Sequence, residues 1–170
     1  QRSFPPRSSN SFACPFDGPT PPQRVLDIVA AACDNGVDRL AIADTIGTTT
    51  PRRVSDLIAV IHPLIGDIPL GAHFHNTRGA GLASAYTAVG AGVTRLDASV
   101  GGLGGCPYAP GAAGNLATED LVYMMHGLGI ETGLSLEKLV QAGELAQSLI
   151  GRRLPGKYLQ AALGARERAV

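Results

Sequence analysis

The chain has 170 residues, with 14 lysines and arginines balanced by 14 aspartates and glutamates, few aromatics and no tryptophan. That length suits one domain with a sizeable core. Balanced charge and scarce aromatics exclude a charged or base-stacking surface for nucleic acid, and no uncharged apolar run of about eighteen residues is present to cross a membrane.

Cys14, Cys33 and Cys106 are odd in number and widely spaced, which suits reduced thiols better than a disulfide framework. Without a cationic apolar leader or a peroxisomal ending, the expected location is cytoplasmic. No initiator methionine opens the chain, so a piece of a longer protein is expected.

Residues 1–10 mix Pro, Ser and Arg without periodicity and read as a linker or disordered start. Residues 10–14 have the character of a short strand ending at Pro15. Thr20-Pro21 reads as a cap followed by proline at the first helical position, with Val25, Ile28, Val29 and Ala32 as the stripe and Asn35-Gly36 as the stop. Residues 37–43 form a predicted strand, with Leu40 and Ile42 on one face, and Asp44-Thr45-Ile46-Gly47 is the loop at its end. Thr50-Pro51 repeats the cap signal. Val54, Leu57, Ile58 and Ile61 then mark a second helix, expected to end before Pro63.

Residues 68–72 are apolar and lead into His73-Phe74-His75, which predicts a buried strand. Residues two apart on a strand share a face, so the two imidazoles project side by side, about 7 Å apart at the backbone. They can converge on one cation, or they can be two polar residues on a wetted face. Phe74 points to the opposite face.

A third helix is predicted over about residues 79–91, with Leu82, Ala83, Tyr86 and Val89 as its stripe, followed by a strand over 93–100. A glycine-rich loop spans 101–114. A fourth helix covers about 116–126, with Ala117, Leu121, Met124, Met125 and Leu128 near one face. Ser135 caps a fifth helix lined by Leu136, Leu139, Val140, Gly143 and Ala146, and the tail after Gly151 is expected to pack loosely. His62 and His126 lie near helix C-termini, where partial negative charge favours imidazolium. Cys14 and Cys33 read as small core or rim residues, and Arg152 and Arg153 as solvated.

Four strand–helix repeats predict an α/β fold with parallel pairing and right-handed crossovers. In such folds chemistry gathers where strands end. Here those ends carry Cys14, Asp44-Thr45, His73/His75 and the glycine loop with Cys106. Cys106 alone would be an unreactive loop thiol unless its surroundings lower its pKa. Asn115, ahead of the acidic Glu119 and Asp120, has the character of a helix N-cap.

Taken together, Ala43-Asp44-Thr45-Ile46-Gly47, His73-Phe74-His75-Asn76-Thr77, Gly102-Leu103-Gly104-Gly105-Cys106-Pro107-Tyr108-Ala109 and Gly114-Asn115-Leu116-Ala117-Thr118-Glu119-Asp120 resemble the 3-hydroxy-3-methylglutaryl-CoA lyase family in order and spacing. Related synthases usually carry a Gly-Glu-Arg-x-Gly-Asn loop where the Cys-Pro-Tyr loop stands here. The resemblance implies parallel (βα) units equivalent to about the second half of a (β/α)8 barrel, with an extra C-terminal helix. It divides the chain into a start (1–10), a partial barrel lyase domain (11–150) and a C-terminal tail (151–170).

His73, His75 and Asn115 are implied metal ligands for Mg²⁺ or Mn²⁺. Cys106 is the implied catalytic thiol, and Asp44 and Glu119 have supporting roles. Asn76 stands where the family often has aspartate, so a carboxylate role there is absent. The implied reaction is cleavage of an acyl-CoA substrate into acetoacetate and acetyl-CoA, which belongs to leucine degradation. Four units where a barrel needs eight imply a homo-oligomer or a missing N-terminal half-barrel. They leave open a non-catalytic remnant that keeps part of the metal site. A phosphate-cradling glycine loop is the weaker alternative, because the loop lacks the Lys-Ser/Thr ending and the Gly-x-Gly-x-x-Gly spacing of such cradles.

Overall fold

The structure is a computed structural model. It describes the backbone of residues 7–8 and residues 11–105 and 114–168. The chain divides into two compact units. One comprises residues 1–97 with 105–113, the other residues 98–104 with 114–170.

The first unit is built on a parallel sheet of β1 (Arg7–Ser8), β4 (Leu40–Asp44), β5 (Leu70–Phe74) and β6 (Arg95–Asp97), in that spatial order. The first strand is a correction: Arg7–Ser8, inside the stretch read as a disordered start, pairs with Ala41 and Ile42. The residues expected to supply that strand instead give β2 (Ala13–Cys14), which pairs antiparallel with β3 (Gly18–Pro19). Two-residue strands carry too little periodicity to be read from sequence.

Register puts Leu40, Ile42, Leu70, Ala72 and Phe74 on one side of the sheet, and all five are buried. Three helices connect the strands. In α1 (Pro22–Asp34) Val25, Val29 and Ala32 are buried, while Ile28 is exposed. Its N-cap is Pro21 rather than Thr20.

Helix α2 (Pro51–Ile65) runs through Pro63 and does not stop before it. Its stripe of Val54, Leu57, Ile58 and Ile61 continues to Ile65, and burial of that residue holds the last turn. In α3 (Gly81–Gly90) the buried face is Gly81, Ser84, Ala85 and Ala88, while Tyr86 of the expected stripe is exposed.

The second unit begins after β6, which is shorter than the expected strand. A single parallel bridge joins Ser99 to Ala117. A 3₁₀ turn at Val100–Gly102 is followed by α4 (Thr118–Gly127), α5 (Leu136–Ile150) and α6 (Lys157–Glu167). The Ser135 hydroxyl accepts the Lys138 N–H, as the cap signal predicts.

The tail does not pack loosely. Leu154 and Leu159 form a buried cluster with Val140, against which Leu103, Ala146, Tyr158 and Leu163 pack. Asp120 accepts the N–H groups of Lys157 (3.0 Å) and Tyr158 (2.6 Å), satisfying the first turn of α6. Among the described residues no helix is long and apolar enough to cross a membrane.

Candidate metal centre and active-site rim

Strand β5 delivers both histidines. His73 sits in register between Ala43 of β4 and Asp97 of β6. His75 follows the strand's end, where its N–H donates to the Asp44 carbonyl at 3.1 Å. The imidazole centroids are 5.1 Å apart and the ring planes are inclined at 73°. Phe74, between them in sequence, is buried in the apolar side of the sheet.

His75 is 6% exposed, and its Nδ1 has no hydrogen-bond partner among the described residues. A buried polar atom left in this state costs on the order of 1–3 kcal/mol unless a ligand engages it. Burial lowers the His75 pKa below the ordinary histidine value. Neighbouring His73 pushes the same way, and Asp44 opposes both. The ring is therefore neutral at neutral pH, with a nitrogen lone pair to offer.

Asp44, the last residue of β4, is 2% exposed. Its carboxylate accepts the N–H of Thr48 (3.0 Å) and of Thr49 (2.8 Å), folding the connection back over the strand end. Gly47 has φ of +63°, and a Cβ there would stand 2.8 Å from Thr77 Cβ. From the histidine side, Arg78 Nη1 donates to the carbonyls of Ile46 (2.9 Å) and Gly47 (3.2 Å). Asn76 accepts the Gly81 N–H at the start of α3, so its side chain serves that helix.

Asn115 and Glu119 lie in the second unit. Asn115 is not a helix cap, because α4 starts later and its N-cap is Ala117. Its Nδ2 donates to the Leu103 carbonyl at 2.8 Å. That commits the nitrogen end of the amide and leaves Oδ1 as the end a cation can use. Glu119 is fully buried and takes the Gly101 N–H on both oxygens, at 2.8 and 3.0 Å.

Burial raises the Glu119 pKa above the ordinary value. Its own backbone N–H and that of Gly101 pull it back, and Asp120 adds to the rise. The Gly101 carbonyl in turn accepts the Gly156 N–H, and Leu154 occupies the space a Cβ on Gly101 would need. Glu119 thus anchors the head of the glycine loop. Cys106 lies outside the described residues. Cys14 and Cys33 are free thiols of intermediate burial.

His73, His75 and Asp44 therefore lie together in one unit, with Asn115 and Glu119 in the other. Among the described residues no three His, Cys, Asp or Glu side chains form a cation-holding cluster. A neutral His75 ring, its buried Nδ1 unpartnered among the described residues, beside the His73 ring fits part of a divalent cation's ligand set. His62 and His126 belong elsewhere, bonded to the Ala91 carbonyl and the Thr132 hydroxyl.

The HMGL-like family model matches residues 7–146. The chain belongs to the HMGL-like family. It is 43% identical over 145 residues to the (R)-citramalyl-CoA lyase of Chloroflexus aurantiacus, covering 85% of this chain and 46% of that protein. It is also 43% identical over 150 residues to the mitochondrial hydroxymethylglutaryl-CoA lyase of Bos taurus, covering 88% of this chain and 46% of the relative.

An HMG-CoA lyase from Acinetobacter baumannii, solved in complex with coenzyme A and 3-methylmalate, superposes with a TM-score of 0.87 at 39% identity, over 91% of this chain and 51% of that one. This HMGL-like chain spans about half the length of the curated relatives it matches. Its parallel βα units correspond to about half of an HMG-CoA lyase barrel.

Sequence reading missed the parts that brace this rim. Thr48 and Thr49 follow Asp44 at the spacing of a side-chain-closed turn, a readable signal. Arg78 and Leu154 had none, since their partners are distant carbonyls and a glycine.

Proposed function

We propose that this HMGL-like chain is the cation-holding half of a divalent-metal-dependent carbon–carbon lyase. Its substrate is 3-hydroxy-3-methylglutaryl-CoA or a similar 3-hydroxyacyl-CoA, and its products from the former are acetoacetate and acetyl-CoA. The observation that carries the reading is the His73/His75 pair, in which the buried Nδ1 of His75 has no partner among the described residues. The relatives' names and the coenzyme A complex of the A. baumannii structure support the substrate class.

His73, His75 and Asn115 would hold the cation, and a mixed nitrogen and oxygen donor set suits Mg²⁺ or Mn²⁺. A bound divalent cation supplies Lewis-acid polarisation of a substrate oxygen. The protein's own groups do the rest. Asp44 fixes the β4 end against His75. A general base takes the proton of the tertiary hydroxyl, the C2–C3 bond breaks to leave acetoacetate and the acetyl-CoA enolate, and the Cys106 thiol gives a proton to the enolate carbon. Glu119 anchors the loop that carries Cys106, and the loop shields the enolate from water. Cytoplasmic location, and assembly as a homo-oligomer or with an N-terminal half-barrel, belong to the same proposal.

The test is cleavage of 3-hydroxy-3-methylglutaryl-CoA by this chain, alone and supplemented with a relative's N-terminal half, with and without Mn²⁺. The expected result is cation-dependent cleavage that falls about a hundredfold in Cys106→Ser. Absence of cation-dependent cleavage, together with no effect of the substitution, removes the assignment. The half-length match favours one other reading, a non-catalytic remnant. A chain that aggregates on size exclusion and ignores Mn²⁺ supports that reading.

A further inference from the structure

We infer that Arg78 is a positioning residue, latching the loop after β4 onto the loop after β5 and so holding Asp44 against the histidine pair. Arg78 is solvent-exposed, where an arginine side chain ordinarily has no fixed partner. Here one nitrogen of its guanidinium is shared by two successive carbonyls, Ile46 at 2.9 Å and Gly47 at 3.2 Å. Those carbonyls crown the loop whose first residue is Asp44.

The same loop is gripped at three other points. At its base the Asp44 carbonyl accepts the His75 N–H at 3.1 Å. Inside, the Asp44 carboxylate holds the Thr48 and Thr49 N–H groups at 3.0 and 2.8 Å. At the crown, the place a Gly47 Cβ would take lies 2.8–2.9 Å from the Thr77 Cβ, backbone nitrogen and hydroxyl.

Nothing larger than glycine fits between the two loops, so they meet flush, and Arg78 closes the seam from outside. Removing its side chain returns two carbonyls to water and leaves the crown to the Gly47–Thr77 contact and the Asp44 bonds to Thr48 and Thr49. The loop then opens more readily, and the Asp44 carboxylate must hold the Thr48 and Thr49 N–H groups without support at the crown. A guanidinium suits this task because its planar fork is rigid and always charged. A lysine reaches the same carbonyls with a flexible, strongly hydrated point charge.

The experiment uses the full 170-residue chain as wild type, Arg78→Ala, Arg78→Lys, and Arg52→Ala as a control on an exposed i,i+4 pair. Amide hydrogen exchange is read at Thr48 and Thr49, and Mn²⁺ affinity by calorimetry. The affinity arm rests on the metal reading above, whereas the exchange arm does not.

In Arg78→Ala the two amides exchange about tenfold faster, as loss of the bonds that hold the loop closed requires. Mn²⁺ binding weakens several-fold while the melting temperature stays close to wild type. Arg78→Lys recovers part of both effects and Arg52→Ala shows neither. Arg78→Gln, which keeps an uncharged NH2 donor on a shorter stem, replaces Arg78→Ala if that variant fails to fold.

Unchanged exchange at Thr48 and Thr49 overturns the latch. Faster exchange with unchanged Mn²⁺ affinity overturns its bearing on the site. If wild type binds no Mn²⁺ yet Arg78→Ala still frees the two amides, the latch stands and the cation reading falls.

Discussion

Single residues set the chemistry of the rim, and two of them expose its logic to measurement. Gly47 holds a positive φ with its would-be Cβ inside van der Waals range of Thr77. Gly47→Ala combines a strained backbone with a clash, so it lowers stability by about 1–3 kcal/mol in chemical denaturation. It also loosens the Asp44 loop.

Glu119 gives a pH signature. Its folded-state pKa is raised, chiefly by burial, so the folded chain binds that proton more tightly than the unfolded chain. The destabilising effect of its charge is absent below the ordinary glutamate value. It grows as pH rises through the gap up to the raised value, and is complete above it. Relative to Glu119→Gln, the wild type therefore loses thermal stability across that window and runs parallel above it. A constant difference at every pH contradicts the assignment.

At this scale the histidine pair was legible because strand periodicity alone places residues 73 and 75 on one face. Asn115 entered the proposed site only by family resemblance. Its local sequence argues for a helix cap, and the helix starts three residues later, at Thr118.

Elements were legible where apolar spacing is strong and misread where another effect wins. Proline inside a helix ordinarily costs about 3 kcal/mol, which argues for ending α2 before Pro63. The proline stands in the last turn, however, and burial of Ile65 on the same stripe as Ile58 and Ile61 offsets the loss. In α3 the side chains were ranked by hydrophobicity, whereas close packing selected by size. Ser84, Ala85 and Ala88 are fully or nearly fully buried and Tyr86 is 55% exposed.

The tail was misjudged because its anchors are long-range. Asp120 caps α6 across 37 and 38 residues, and Leu154 fills the space beside Gly101. Leu154→Ala is expected to cost about 2–5 kcal/mol in denaturant unfolding, since it opens a cavity in a cluster of only three fully buried residues. It also uncouples α6 from the head of the glycine loop. Iodoacetamide labelling of Cys106, read by mass spectrometry, should then speed up, while that of Cys14, remote in sequence from the glycine loop, stays the same.

For the molecule as a whole, the decisive fact is that an HMGL-like chain matching only about half of its relatives still carries the histidine pair and the asparagine of the proposed site. The parallel sheet ends in strands β1 and β6 that lack a second neighbour in the sheet among the described residues. Unpaired strand edges favour association with another chain. Mixing with a relative's N-terminal half is expected to shift the size-exclusion profile toward a defined complex, whereas two independent elution peaks would count against pairing.

The measurement closest to the central claim is calorimetric titration of Mn²⁺ into the purified chain and into His75→Ala. The expected result is one cation per wild-type chain, with affinity reduced at least about tenfold by the substitution, as loss of a ligand imidazole requires. Equal affinity in the two proteins, or no binding by the wild type, would show that the paired imidazoles do not form a cation site.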